Sequence, residues 1–350
     1  MAVDSDVCVE VVSNRQIAPD YFSMRLVGPR HLAQFRPGQF LMLGWTDGLD
    51  PLLPRAMSIR RASKFQVPSS KFRVQKGSSA NLEPGTWNLE RGAAQVEILY
   101  KVCGRGTALL AAMRPGRSLR ALGPLGNGFE VPRSATEVFL VAGGIGVPPI
   151  AALAEGLATH RASRETKMTV FLGGRSKADL LCAVDFKRVG AKVHVATEDG
   201  SAGQKGLVTE LLEQYLNTPH PASGTPSLPL LPPRGRDGWG GVPHTKSPRS
   251  PLYKRGGGGI YACGPHPMLA ALASIAEKYE LPYQASMEAS MACGFGACMG
   301  CVVPVKGGER DLSASQGDRT YCLVCKDGPV FNGRDILWPQ PCRELGLTRG

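Results

Sequence analysis

Three of the chain's ten cysteines fall in one short stretch, Cys293-Gly-Phe-Gly-Ala-Cys298-Met-Gly-Cys301. Their intervals are C-x4-C-x2-C, the plant-type spacing of thiolates that hold a [2Fe-2S] cluster, with a fourth thiolate arriving from further along the chain. Cys322 and Cys325 both follow, and both qualify by position. A loop wrapped around two irons and their bridging sulfides has to turn its amides inward, and Gly294, Gly296 and Gly300 permit that backbone path. Other chemistries compete for the same sulfurs. Cys298, Cys301, Cys322 and Cys325 make two C-x2-C units, the ligand set of a zinc ribbon, but that reading leaves Cys293 and the glycines unused. Disulfides need an oxidising compartment, whereas the opening Met-Ala-Val-Asp-Ser-Asp carries no apolar leader and predicts a cytoplasmic protein.

Four other segments carry groups suited to anions. In Arg55-Ala-Met-Ser58 a guanidinium fork and a hydroxyl precede an alternating strand, a pairing that suits a phosphate or a flavin edge, although a solvated arginine at a strand start is the more common case. The run from Val96 through Leu99, Tyr100 and Lys101 reads as a strand entering Gly104-Arg-Gly106-Thr107 and then a helix, whose first amides could face an anion. The apolar strand Glu137–Ala142 ends in Gly143-Gly144-Ile-Gly146-Val-Pro-Pro149, which is not the G-x-G-x-x-G fingerprint but still lets amides approach a pyrophosphate. Another strand ends in Cys263-Gly264-Pro265, where a nicotinamide ring could rest; a buried strand cysteine is the plainer reading of Cys263.

The elements that must position these groups divide into two patterns. Residues 7–12 and 21–27 read as short strands, and 36–43 as a turn feeding another, predicting a small antiparallel barrel from about 5 to 130. A polar excursion over 60–93 reads as a long exposed loop. From about 135 strands alternate with helices: strands at 137–142, 169–172, 192–197 and 260–265, with helices running to Ala158 and over 266–279. That pattern predicts a doubly wound parallel sheet with its ligand at the carboxyl ends of the strands. The Pro/Gly/Ser/Arg-rich segment 217–258 cannot build a core and reads as a flexible insertion. The expected units are therefore a barrel over 1–132, an α/β unit over 133–282 and a small cysteine-bearing unit over 283–350. No apolar run approaches the ~18 residues of a membrane span. The net charge of +12 is scattered, without the basic helix or aromatic-interleaved patch of a nucleic-acid binder.

Taken together, Arg-x-x-Ser, Tyr-Lys followed by Gly-x-Gly-Thr, Leu122-Gly-Pro-Leu-Gly-Asn-Gly-Phe129, Gly-Gly-Ile-Gly-x-x-Pro and Cys-Gly-Pro are similar to the motifs of ferredoxin reductase-like flavoproteins. The cysteine loop together with Val324-Cys-Lys-Asp-Gly-Pro-Val-Phe331 resembles the electron-transfer subunits of type B dihydroorotate dehydrogenase. The resemblance spans nearly the whole chain apart from 60–93 and 217–258. It implies an FAD-binding barrel, an NAD-binding α/β domain and a C-terminal [2Fe-2S] domain.

The resemblance also implies roles for particular residues. Cys293, Cys298, Cys301 and Cys325 would ligate the cluster, leaving Cys322 as an extra thiol. Arg55, Ala56, Met57 and Ser58 would line the flavin, where the family has Arg-Pro-x-Ser and this chain has Arg-Ala-Met-Ser. Leu99, Tyr100 and Lys101 would run along the ribityl and adenine side, with Gly106 and Thr107 at the pyrophosphate. Gly143, Gly144 and Gly146 with Cys263, Gly264 and Pro265 would form the edge visited by exchangeable NAD. Arg175 and Lys177 could accept a 2′-phosphate, but the resemblance points to NAD. In the family, dihydroorotate is oxidised at the FMN of a separate catalytic subunit, and electrons pass through the cluster and FAD to NAD+. The implied assembly is a heterotetramer of two of each subunit, with no acid–base residue for dihydroorotate in this chain. The same cofactors also suit a subunit of a sulfide dehydrogenase, a hydrogenase or an NADPH:ferredoxin oxidoreductase.

Overall fold

The computed structural model describes residues 6–46, 53–65, 93–160, 166–218, 258–306 and 320–338. The chain opens with β1 (Asp6–Ala18), β2 (Tyr21–Pro29), β3 (Phe40–Trp45), β4 (Arg55–Phe65) and β5 (Ala93–Lys101), continues through the short helix α1 (Arg105–Ala111), and reaches β6 (Ser118–Leu125). These six strands close into an antiparallel barrel in the order β1-β2-β5-β4-β3-β6. Alternation dictates the closure: Val9, Val11, Met24, Leu26, Leu41, Leu43, Met57, Ile59, Val96, Ile98 and Leu119 all point into one sealed core. Asn14 of β1 ties α1 to the wall by donating from Nδ2 to the carbonyls of Leu110 (2.8 Å), Met113 (3.1 Å) and Ala111 (3.2 Å).

Two expected boundaries move. The first strand runs on to Ala18 because Asn14, Arg15 and Gln16 pair with Met24, Ser23 and Phe22, although their polar side chains hide the alternation. The loop expected from residue 60 begins later, since β4 continues to Phe65 and pairs residue by residue with β5 down to Ala93. The remainder of that loop, 66–92, lies outside the described residues, as do 219–257 of the expected insertion; Asn217 instead ends a helix.

The second pattern is β7 (Glu137–Gly143), α2 (Val147–Thr159), β8 (Lys167–Gly174), α3 (Ala183–Arg188), β9 (Lys192–Thr197), β10 (Gln204–Lys205), α4 (Val208–Asn217), β11 (Gly259–Cys263), α5 (His266–Lys278) and β12 (Tyr283–Ser286). The hairpin β13 (Val302–Val305) and β14 (Thr320–Leu323) follows, then β15 (Val330–Asn332). The seven-stranded sheet has the order β10-β9-β8-β7-β11-β12-β15, parallel throughout except for β15. Strand residues alternate between two cores. Val138, Leu140 and Ala142 of β7 face α2 and α3, while Phe139 and Val141 face α4 and α5. The sheet is doubly wound, as the strand–helix alternation requires, and its order reverses between β7 and β11. It draws β12 and β15 from beyond residue 282, so the segment carrying the cysteines is anchored in the sheet at both ends.

Charge crosses the seam between barrel and sheet. Arg60 of β4, 2% exposed, pairs with Glu155 of α2 at 2.8 Å and with Asp185 of α3 at 3.1 Å, and Arg61 also pairs with Glu155. Tyr21 of β2 donates to Asp179 at 2.5 Å, and Lys101 of β5 reaches the same carboxylate at 3.4 Å. Removing one partner of a buried ion group leaves its counter-charges desolvated. Arg60→Met is expected to lower stability by about 3 kcal/mol in urea unfolding. Arg25→Met, which removes a pair that is 4.0 Å long and exposed, should cost no more than about 0.5 kcal/mol. Equal midpoints for the two variants would show that the seam contributes nothing.

Candidate functional site

The loop 293–301 lies on the barrel wall. At Gly294, φ is +83°, and a Cβ there would strike Met42 of β3 and come within 3.1 Å of Leu125 of β6. A Cβ on Gly296, at φ +91°, would come within 3.0 Å of Lys326. Gly294 and Gly296 use the freedom that the cysteine spacing demanded, whereas Gly300 is not left-handed and Met299, at φ +57°, adopts that conformation instead. Amides face the sulfurs: that of Cys298 donates to Cys293 Sγ at 3.4 Å, that of Gly300 to Cys298 Sγ at 3.5 Å, and that of Cys325 to Cys301 Sγ at 3.4 Å. Burial raises the Cys293 thiol, but the amides of Cys298, Phe295 and Ala297 outweigh it and bring its pKa down to about 6. Burial, then the neighbouring Cys301 and Cys293 thiols, push Cys325 up to about 12. The sulfurs thus meet as two pairs, Cys293 with Cys298 and Cys301 with Cys325.

Two thiolates for each of two irons is the ligand arrangement of a [2Fe-2S] centre, so this donor set fits the group. Cys325 is presented by a tight turn in which Val324 N donates to Cys301 O at 2.9 Å and Leu323 N to Asp327 Oδ2 at 2.8 Å. Cys322 instead lies within β14, opposite Val303, and packs against the adjoining core.

Asn127 pins this turn to the end of β6. Its Nδ2 donates to the carbonyls of Asp327 and Val330, and its Oδ1 accepts from Val330 N, all at 2.9 Å. It stands inside the Leu122–Phe129 motif, but nothing local to that motif shows which loop it would hold.

A cavity of about 650 Å³ opens at the carboxyl ends of β7, β8, β9 and β11. Gly143, Gly144, Gly264 and Pro265 line it at the point where the strand order reverses. Gly146 lies behind them: a Cβ there would collide with the carbonyl of Cys263, so the two strand ends meet backbone to backbone. Gly144 has φ +53° with open space before it. The Cys263 thiol is not on the cavity wall. It is buried in the core beside Ser286, and burial drives its pKa well up. Three carboxylates, Asp179, Glu198 and Glu288, share the wall with Lys101 and Arg175. Glu288 is exposed at the cavity wall, where partial desolvation by the surrounding protein raises its pKa against the pull of His266.

The barrel residues separate by strand parity. Met57 and Tyr100 point into the barrel core, where Tyr100 stacks on Phe22 at 5.7 Å and donates to Asn14 Oδ1 at 2.9 Å. Ala56, Ser58, Leu99 and Lys101 occupy the opposite face of the adjacent strands β4 and β5. Arg55 lies with its guanidinium directly over Gly106 of α1, where a Cβ would push the guanidinium aside. Thr107 is committed to its own turn: its hydroxyl accepts from the amides of Cys103 (3.0 Å) and Gly104 (3.2 Å). The face that could hold a flavin is therefore Ala56, Ser58, Leu99 and Lys101, with Arg55 and Gly106 at its end and Met57, Tyr100 and Thr107 supporting it from behind.

A six-stranded barrel beside a Rossmann-type sheet, with a three-cysteine loop packed on the barrel, defines an oxidoreductase of the ferredoxin reductase-like class. Residues 288–337 match the family model described as the iron-sulfur cluster binding domain of dihydroorotate dehydrogenase B, and residues 140–226 that of the oxidoreductase NAD-binding domain. The chain is 32% identical over 330 residues to the dihydroorotate dehydrogenase B (NAD(+)) electron transfer subunit of Bacillus caldolyticus, covering 93% of this chain and 96% of that protein. The corresponding subunit of Shouchella clausii is 33% identical over 331 residues, with the same coverage. The chain belongs to the family of dihydroorotate dehydrogenase B electron transfer subunits. The fold is also that of an NADH-dependent reduced ferredoxin-NADP oxidoreductase structure, with a TM-score of 0.63 at 23% identity over 94% of this chain and 90% of that one.

Two outcomes are expected of the cysteine loop. Cys293→Ser should abolish bound iron and labile sulfide, whereas Cys322→Ser should leave both within about 20% of the parent, because only Cys293 belongs to the thiol pairs that fit the cluster. Metal analysis that finds zinc retained in Cys293→Ser and lost in Cys322→Ser would reverse the assignment. Asn127→Leu removes three hydrogen bonds to the Cys325 turn and should speed loss of the cluster's visible absorbance under chelator several-fold, at unchanged initial iron content.

Proposed function

We propose that this chain is the electron-transfer subunit that takes electrons from the FMN of a dihydroorotate dehydrogenase catalytic subunit and delivers them through [2Fe-2S] and FAD to NAD+, in pyrimidine biosynthesis. The observation that carries this reading is a spatial order. The cysteine loop rests on Met42 of β3, Met42 pairs with Ala56 of β4, and Lys101 at the end of β5 reaches into the cavity at the sheet's switch point. When bound, nicotinamide exchanges hydride, a flavin passes electrons singly or in pairs, and a two-iron cluster carries one at a time, so the flavin has to lie between the other two.

The chain's own part is to hold and separate these groups. Cys293, Cys298, Cys301 and Cys325 would ligate the cluster, with the surrounding amides favouring the thiolate charge. Arg55, Ala56, Ser58, Leu99, Lys101 and Gly106 would bind FAD, with Met57, Tyr100 and Thr107 shaping the strand ends that carry them. Gly143, Gly144, Gly146, Gly264 and Pro265 would let NAD approach the backbone, and Cys263 would contribute its main chain only. The working units are read as 1–132 for FAD, 133–282 for NAD and 283–350 for the cluster.

Phe295, Met299, Val302 and Tyr321 are 60%, 59%, 43% and 61% exposed, an unusual concentration of large apolar side chains on and beside the cysteine loop. This face would receive the catalytic subunit, in a cytoplasmic assembly of two of each chain. Among the described residues no helix is long and apolar enough to cross a membrane. Phe295→Asp is expected to weaken association with a co-expressed dihydroorotate-oxidising subunit at least tenfold and to abolish dihydroorotate:NAD+ activity. NADH:ferricyanide activity of the isolated chain should persist. Co-purification instead with a hydrogenase or sulfide dehydrogenase subunit would keep the cofactors and overturn the partner.

A further inference from the structure

We infer that Tyr21 and Asp179 are positioning residues for the hydride exchange between nicotinamide and flavin: they strap the barrel to the loop that walls the nucleotide cavity, and so set how the two cofactor sites face each other. The inference rests on the reading of the cavity as the nicotinamide-dinucleotide site and of the outer face of β4 and β5 as the flavin site. Asp179 follows β8 and lines the cavity together with Gly173, Gly174 and Arg175 of the loop it closes. It is 6% exposed, and its two oxygens serve different parts of the molecule. Oδ2 accepts from the amides of Arg175 at 3.0 Å and Ser176 at 3.4 Å, which fixes the cavity loop. Oδ1 accepts from the Tyr21 hydroxyl at 2.5 Å and from Lys101 Nζ at 3.4 Å, which fixes the barrel.

The barrel side of this strap is held just as firmly. Tyr21 opens β2 and pairs with Lys101 at the end of β5, and residues directly opposed in an antiparallel pair send their side chains to one face. The Val102 amide donates to the Asp20 carbonyl at 2.8 Å, so the two strand ends are tied together at this point. Lys101 Nζ donates to the Tyr21 hydroxyl at 3.1 Å and lies 4.6 Å from the centroid of its ring, so ring, ammonium and carboxylate hold one another. The ring is 2% exposed and belongs to the core that the sheet shares with α2 and α3. Burial, then the bond to Asp179, push the Tyr21 pKa up, so the phenol keeps its proton and remains the donor.

Its place separates this strap from the rest of the seam. Arg60, Glu155 and Asp185 tie β4 to α2 and α3, and none of the three lines the cavity, whereas Asp179 and Lys101 both do. At Gly174 a Cβ would come within 2.7 Å of the Asp179 Cβ, so the cavity loop is folded tightly over the carboxylate. On the other side Lys101 shares the outer face of β5 with Leu99, the face read as the flavin wall. A hydride passes only between atoms held about 3–3.5 Å apart, and a displacement of about 1 Å caused outside the reacting centre can cost on the order of 100-fold. A rigid link between this loop and this strand therefore acts on the transfer step and not on affinity.

The test uses the full cofactor-loaded chain. NADH is mixed with the oxidised protein in stopped flow, and the rate constant of flavin bleaching reports the step in which NADH gives hydride to FAD and leaves as NAD+. NAD+ binding and flavin content are measured separately. Tyr21→Phe keeps the ring in its core and removes only the hydroxyl, and is expected to lower that rate constant about fivefold or more; Asp179→Asn keeps the shape and loses the charge, and should lower it about tenfold or more. NAD+ affinity and flavin content should stay within about twofold in both variants, a split that a general loss of stability would not give. Because the hydroxyl acts through the carboxylate, Tyr21→Phe should add less than about twofold in the Asp179→Asn background. If Asp179→Asn does not retain flavin, Tyr21→Phe decides alone. A rate constant at the parent's value in Tyr21→Phe, an NAD+ affinity that moves in step with the rate, or losses that multiply in the double variant would overturn the strap and leave the cavity reading intact. A parent that binds no nucleotide overturns the cavity reading and this inference with it.

Discussion

Everything in the relay depends on how closely the cysteine loop can lie against the barrel. At Gly294 the backbone turns through a left-handed conformation directly over Met42 and Leu125, and any side chain would wedge the loop outward. The same close approach recurs at Gly106 under Arg55 and at Gly146 against the Cys263 carbonyl. In each case a glycine stands where two segments distant in sequence touch main chain to side chain or main chain to main chain. Electron-transfer groups work only when near one another, so the chain spends its least bulky residue at each junction.

Those junctions hold because the flanking elements are rigid. Asn127, Asp327 and the short strand β15 fix the far side of the cysteine segment to the barrel exit and the sheet edge. The seam between barrel and sheet is ionic as well as apolar, since Phe40, Met42, Tyr21 and Phe129 are buried against the sheet. Arg60 sits between Glu155 and Asp185, and Asp179 gathers Tyr21, Lys101 and the amides of Arg175 and Ser176. Asp179 is 6% exposed, and although burial alone would raise its pKa, its hydrogen bond from Tyr21 and the nearby Lys101 hold it below the usual carboxylate value. One carboxylate thereby joins the strand that would flank the flavin to the loop that borders the nucleotide cavity.

Much of this was legible in the residues alone. The C-x4-C-x2-C spacing and its glycines pointed to a two-iron centre, the apolar run 137–142 to a buried parallel strand, and the strand–helix alternation to a doubly wound sheet. Polar residues on exposed strand faces hid the second half of β1 and the end of β4. Short elements escaped too: β10, β12 and β15 are 2, 4 and 3 residues long, and sequence periodicity needs more than that to register.

The types and spacings of the ligands are local properties, so the sequence by itself determined the cluster chemistry, the class of fold and the strand ends at which nucleotides gather. Which side of a strand each residue serves depends on closure of the barrel, and only the tertiary structure turned Tyr100 and Met57 inward while leaving Leu99 and Lys101 on the outer face. It also set Cys322 and Cys325 apart, placing the first within a hairpin and the second in a turn hydrogen-bonded to Cys301. The Cys263 thiol and Asn127 took their places the same way. Each meets partners brought near only by the sheet's order and the packing of its edge on the barrel, and no spacing along the chain encodes such contacts.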